Sequence, residues 1–187
     1  KAGLPVLGMT YNGCDPQPRS LALCLAPTRA AIGDAIAGFI AERFGKSAAV
    51  AVVAGPDLND MPMAEALRAS VTAAGLEVVR AEAALPYTNS YAAIASRIGA
   101  EKVAATVFTG SLTASEAFAR EGTAAGARVL VAHRIATSGR LPDGFTFAPF
   151  GAPAGEAYTG FARAYQEAWG QPPSAAAAAV YDATGLA

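Results

Sequence analysis

Histidine, cysteine and charge are scarce in this chain. Its 187 residues hold one histidine, two cysteines and one tryptophan, and only 16% are Asp, Glu, Lys or Arg. One histidine and two cysteines do not make the clustered ligands of a zinc site, so no metal is expected. A hydrolytic triad would need the lone His133 as its base, and no nucleophile lies near it in sequence. No G-x-S-x-G elbow occurs. No G-x-G-x-x-G follows a strand-like run either, so no dinucleotide or other cofactor is expected. Gly45-Lys46-Ser47 shares three residues with the end of a P-loop. Ile40, however, stands where its first glycine belongs, and a strand rather than a helix follows. The triplet reads as a helix C-cap. A formal net charge of −1 lacks the basic field that a nucleic-acid partner requires. No apolar run reaches about 18 residues, so no transmembrane helix and no direct membrane insertion are expected.

What is present is apolar and alanine-rich. Hydrophobic residues make up 53% of the chain, and much of that is alanine, at about a quarter against a usual share below about a tenth. Alanine adds little core volume, so the chain is less greasy than its apolar fraction implies. The length suits one domain, or one and part of another. The sequence starts at Lys1 rather than Met, which leads us to expect a removed (cleaved) signal or a start partway into a longer protein. Cys14 and Cys24 stand ten apart in a proline-containing stretch. Their spacing favours a small local disulfide, and thus an oxidising compartment, over two unpaired thiols.

From residue 27 onward, helical and strand-like segments alternate. Ile32, Ile36, Phe39 and Ile40 recur at helical spacing from Thr28 to Phe44. An unbroken apolar run, 48–54, has the composition of a strand buried on both faces. A helix is expected over 61–74, with Pro62 in its first turn. A strand over 76–83 and a short helix over 91–98 behind Asn89 follow. Next come a strand over 102–109 and a helix opened by the capping box Thr113-Ala114-Ser115-Glu116. Strands at 128–132 and 145–150 complete the series. Such alternation implies right-handed βαβ units and an α/β fold with a parallel sheet flanked by helices. Outside this run, 4–9 reads as an isolated strand, and 156–169 and 174–187 as helices. Tyr158, Phe161, Tyr165 and Trp169 form a stripe on the first of these, expected to face a core.

In an open parallel sheet, ligands bind beyond the carboxyl ends of the strands. That rule selects four places. They are Thr10-Tyr11-Asn12, the loop from Gly55 through Asp57 and Asn59 to Asp60, the segment Gly110-Ser111-Leu112-Thr113, and His133-Arg134. Each has a plainer alternative: Asp60 and Thr113 as helix caps, Gly110 as a turn, His133 as a satisfied polar residue. Together they form a rim of hydroxyls, amides, an acid and a guanidinium. Such a rim suits a small polar or zwitterionic molecule.

The order of elements resembles the type I periplasmic solute-binding proteins, in particular the branched-chain amino-acid group that serves ABC importers. Leu4-Pro5-Val6-Leu7-Gly8-Met9-Thr10 looks like that family's last first-lobe strand and its ligand loop. Residues 48–60 look like the first second-lobe strand and its loop. Phe161-x-x-x-Tyr165, Gly170-Gln171-Pro172-Pro173 and Tyr181-Asp182-Ala183 resemble the family's ending. The resemblance implies a two-lobed clamp, without catalysis, that captures an amino acid or related small carboxylate. It would act in the periplasm or extracellular space and dock on a membrane permease. Residues 1–26 would be a remnant of lobe I with the crossover, 27–150 lobe II, and 151–187 helices returning to a lobe I that is only partly present. Thr10, Tyr11 and Asn12 would contact ligand from the first lobe, and Asp57, Asn59, Ser111 and His133 from the second. Arg134 stands near where amino-acid binders of the group often carry an acid. Facing the cleft, it would favour a carboxylate over an ammonium; facing solvent, it would do neither. A sensory or regulatory ligand-binding domain of the same fold is the alternative, and an α/β enzyme centred on His133 a further one.

Overall fold

The computed structural model describes residues 27–133 and 155–185, together with the strand backbones at 6–8, 22–24 and 145–147. Strands β1 (Val6–Gly8) and β2 (Ala22–Cys24) pair in parallel as a two-stranded sheet of their own. The expected 4–9 strand therefore pairs outside the main sheet. Helix α1 (Arg29–Phe44) starts where Thr28 Oγ1 accepts the Ala31 N–H at 3.1 Å. It stops at Gly45, whose φ of +98° suits glycine.

Five further strands and five further helices follow in chain order. They are β3 (Ala49–Ala54), α2 (Asp60–Ala73), β4 (Glu77–Ala83), α3 (Ala92–Ala100), β5 (Ala105–Gly110), α4 (Leu112–Ala124), β6 (Val129–His133), β7 (Phe145–Phe147), α5 (Glu156–Trp169) and α6 (Ala175–Gly185). Strands β3 to β7 form one parallel sheet in the order β4-β3-β5-β6-β7. The expected α/β architecture holds. Two boundaries move. Lys102 sits at φ 52° in the left-handed region, so β5 begins only at Ala105. Ser111, not Thr113, caps α4, because its Oγ accepts the Ala114 N–H at 3.4 Å and its carbonyl the Ser115 N–H at 2.9 Å.

Strand side chains alternate between two helical layers. Val50, Val52 and Ala54 of β3 and Ala105 and Val107 of β5 pack with α1 and α2. Ala51, Val53 and Phe108 pack on the opposite face with α3 and α4. Gly33 lets α1 approach α2, since a Cβ there would lie 2.7 Å from Ser70 Oγ. Edge strand β4 carries a bulge where Val50 pairs with Val78 but Ala51 with Arg80. That extra residue turns Arg80 and Glu82 toward α3. There Arg97 grips Glu82 through Nε at 2.8 Å and Nη2 at 3.0 Å, and Arg80 bonds Glu82 at 3.1 Å and also Glu101.

Helices α5 and α6 hold the aromatic stripe. Phe161 stacks on Tyr181 at 4.5 Å, and Tyr165 meets Trp169 at 6.2 Å. The expected core-facing role is not seen among the described residues. No residue of α5 is buried, and Trp169 is 70% exposed. Helical periodicity identifies an apolar face but says nothing of what covers it.

Candidate functional site at the sheet's carboxyl edge

Helices α1 and α2 lie on one face of the sheet and α3 and α4 on the other. From β3 the chain runs to β4 on one side and then crosses to β5 on the other. The crevice beyond the carboxyl ends of β3 and β5 is therefore the topological switch point, where open α/β sheets bind ligands. Three of the sequence-selected segments converge there. The 55–59 loop leaves β3, Ser111 follows β5, and His133 ends β6 in register with Gly110.

The 55–59 loop is built on a narrow base. Gly55 is buried and donates its N–H to the Thr109 carbonyl. A Cβ at Gly55 would lie 2.5 Å from that oxygen and 2.9 Å from Gly110 Cα, so no larger residue fits. Beyond it Asp57, Leu58 and Asn59 are exposed, with Leu58 at 94%. Asn59 occupies the N-cap position of α2, yet its side chain makes no capping bond. Its amide is thus not consumed by the helix end. The expected cap role of Asp60 is also replaced. Asp60 is the first residue of α2 and only 1% exposed, and its Oδ2 accepts the Asp57 N–H at 3.0 Å. Ser111 is half-buried, and its Oγ accepts from Ala114 while its hydroxyl proton remains to be donated.

The remaining expected residues fall elsewhere. Thr10, Tyr11, Asn12, Cys14 and Arg134 lie outside the described residues, and for His133 and Cys24 only the strand backbone is described. The Cys14–Cys24 pairing accordingly lies outside the described residues too.

One residue near the crevice is absent from the sequence-based set. Tyr91, at 2% exposure, stands edge-on to Phe108 at 5.5 Å and to Phe118 at 5.7 Å. Burial, followed by the neighbouring carboxylates of Asp57 and Glu121, pushes its phenol above the ordinary range. This aromatic core reaches the rim through Phe108, whose ring lies where a Cβ at Gly110 would stand. The only sequence signal of Tyr91 was an aromatic at the start of a short helix. A separate cavity of about 200 Å³ opens between α2 and β4, where Ala81 and Ala83 leave space beside Val52 and Met61. Its lining comes from α2, β3 and β4, not from the loops after β3 and β5.

Polar loops over the switch point of an open parallel sheet define the α/β ligand-binding folds. The sequence profile of the periplasmic binding proteins matches residues 1–187, and the chain belongs to that family. That family is one of binding proteins. No curated protein matches the chain by sequence.

Solved structures repeat the fold. One is assigned as a candidate branched-chain amino acid ABC transporter from Rhodospirillum rubrum. It superposes with a TM-score of 0.74 at 20% identity, over 89% of this chain and 50% of its own. An ABC transporter solute-binding protein from R. palustris, solved with benzoate, gives 0.71 at 20% identity over 88% and 48%. A leucine-binding protein from Thermotoga maritima gives 0.71 at 19% identity over 91% and 51%. The chain thus spans about half the length of these structures. Among the described residues, no helix is long and apolar enough to cross a membrane.

Proposed function

We propose that this chain supplies the ligand-gripping lobe of an extracytoplasmic solute receptor that delivers a small carboxylate to an ABC importer. The observation that carries the reading is the convergence of the 55–59 loop, Ser111 and the end of β6 on the switch point, in a chain of the periplasmic binding protein family. On this reading residues 27–150 form the second lobe, and 1–26 and 151–187 belong to the first. The separate pairing of β1 with β2 agrees with that division.

Binding needs no chemical step. Thr10, Tyr11 and Asn12 from one lobe and Asp57, Asn59, Ser111, His133 and Arg134 from the other would hold the ligand between them. Contacts made to both lobes at once favour the closed state by their differential affinity. Arg134 supports a carboxylate as the anchoring group, and an aromatic acid satisfies it as well as an amino acid does. Benzoate in the R. palustris protein is an example of such an acid in this fold. The permease partner and the periplasmic setting follow from the same reading.

Calorimetric titration of the full-length protein with L-leucine, L-isoleucine, benzoate and 3,4-dihydroxybenzoate tests the proposal. Saturable binding of at least one, weakened by Ser111→Ala or Arg134→Ala, is the expected result. No heat with any of the four would count against it.

A further inference from the structure

We infer that Thr109 and Asp60 form a buried latch that joins the two second-lobe binding loops into one rigid unit, and that both are positioning residues for the ligand. The ligand role rests on the receptor reading above; the latch itself rests on geometry alone.

A loop with three successive exposed residues, Asp57 to Asn59, would ordinarily be free to move. This one is tied at four points. Asp57 N–H donates to Asp60 Oδ2 at 3.0 Å, and Asp60 N–H returns a bond to the Asp57 carbonyl at 2.9 Å. The loop is thereby closed on itself. Thr109 Oγ1 donates to the Asp60 carbonyl at 3.0 Å, and the Thr109 carbonyl accepts the Gly55 N–H. These last two bonds span the gap between the β3 loop and β5. Thr109 and Asp60 are each only 1% exposed, so water does not compete for the latch.

Steric contact reinforces the bonds. The missing Cβ of Gly55 is the space that Thr109 and Gly110 occupy. Two residues past Thr109, Ser111 caps α4. Moving Asp57 or Asn59 must therefore either break the latch or drag Gly110 and Ser111 along. The spacing between Asp57, Asn59 and Ser111 is set before any ligand arrives, which lowers the ordering cost of binding.

Amide hydrogen exchange on the full-length protein tests the latch without a ligand. In the wild type the Gly55 and Asp57 amides should be protected while those of Leu58 and Asn59 exchange freely. Thr109→Val keeps the side-chain shape and removes the donor. It should speed exchange at Gly55 and Asp57 about tenfold, the effect of losing one buried hydrogen bond, and leave Leu67 in α2 unchanged. Thr109→Ser should restore protection. Wild-type exchange at Asp57 as fast as at Leu58, or an equal change at Leu67, overturns the latch, and the wild-type pattern decides even where the valine variant fails to fold. Titration with L-leucine and benzoate tests the positioning role. Weaker binding in Thr109→Val, recovered in Thr109→Ser, supports it, and unchanged affinity for a probe that the wild type binds overturns it. Wild-type silence toward both probes counts against the receptor reading, and the exchange pattern still decides the latch.

Discussion

One face of the sheet is sealed by α1 and α2 through Ile36, Ile40, Leu67 and Val71, the other by α3 and α4, where Tyr91 and Phe118 pack on Phe108 of β5. The aliphatic layer is built from two long helices at close approach, with Gly33 against Ser70. The aromatic layer combines α3, a helix of 9 residues, with α4 of 13, and its largest buried side chains are rings. Phe108 and Phe118 stack at 4.6 Å and Tyr91 closes the group edge-on. The aromatic layer reaches the crevice through the Phe108 ring beside Gly110, and the aliphatic layer through the amino end of α2, where Asn59 is the N-cap and Asp60 the first residue. The two layers teach a division of labour. The side chains of Ile36, Ile40, Leu67 and Val71 serve packing, whereas the Phe108 ring serves both packing and the shape of the candidate rim.

The contrast can be broken most forcefully at Phe108. Phe108→Ala should cost about 3–5 kcal/mol in denaturant unfolding and also weaken ligand affinity in calorimetry. Leu67→Ala, in the aliphatic layer, should cost about 3 kcal/mol yet leave affinity unchanged in the molecules that remain folded. Equal affinity losses in the two variants would abolish the distinction. A double-mutant cycle on Phe108 and Phe118 should yield a coupling of about 1 kcal/mol beyond the separate burial costs. A smaller change, Ile36→Val, should cost about 1 kcal/mol and again spare the ligand.

The smallest expected effect is pH-dependent and lies at the sheet's edge. The hydrogen bonds from Arg97, ahead of those from Arg80, hold the Glu82 carboxyl below its ordinary value. A depressed carboxyl stabilises the fold above the unfolded-state value. That contribution disappears as pH falls through the folded one. The melting temperature should therefore drop on the acid side, and Glu82→Gln should flatten part of that slope. An unchanged slope would show the network to be energetically idle.

Much of this arrangement was legible in residue order. The run 48–54 announced a buried central strand because it is apolar throughout, and 102–109 did so because Val107 and Phe108 dominate it despite the buried Thr106 and Thr109. The carboxyl-edge rule likewise brought out Asp57, Asn59 and Ser111. The start of α4 was misplaced because Ser111, Thr113 and Ser115 offer three hydroxyls in alternation, and only backbone geometry selects the first. The latch was illegible for a different reason. It joins a side chain to a main-chain carbonyl 49 positions away, and such a contact leaves no spacing signature. Tyr91 was overlooked on similar grounds, since its partners come from β5 and α4 rather than from its own helix.

The bulge in β4 has a consequence beyond aiming Arg80 and Glu82. In the order β4-β3-β5-β6-β7, β4 closes one side of the sheet, and such a margin invites a strand from another molecule. An added strand needs an even rhythm of N–H and C=O groups along its template. Here that rhythm breaks after Val78, where the register shifts by one residue, and the charged pair beyond the break adds a desolvation cost to any approach. The irregularity that fastens α3 to the sheet thus also guards the protein against self-association along this margin.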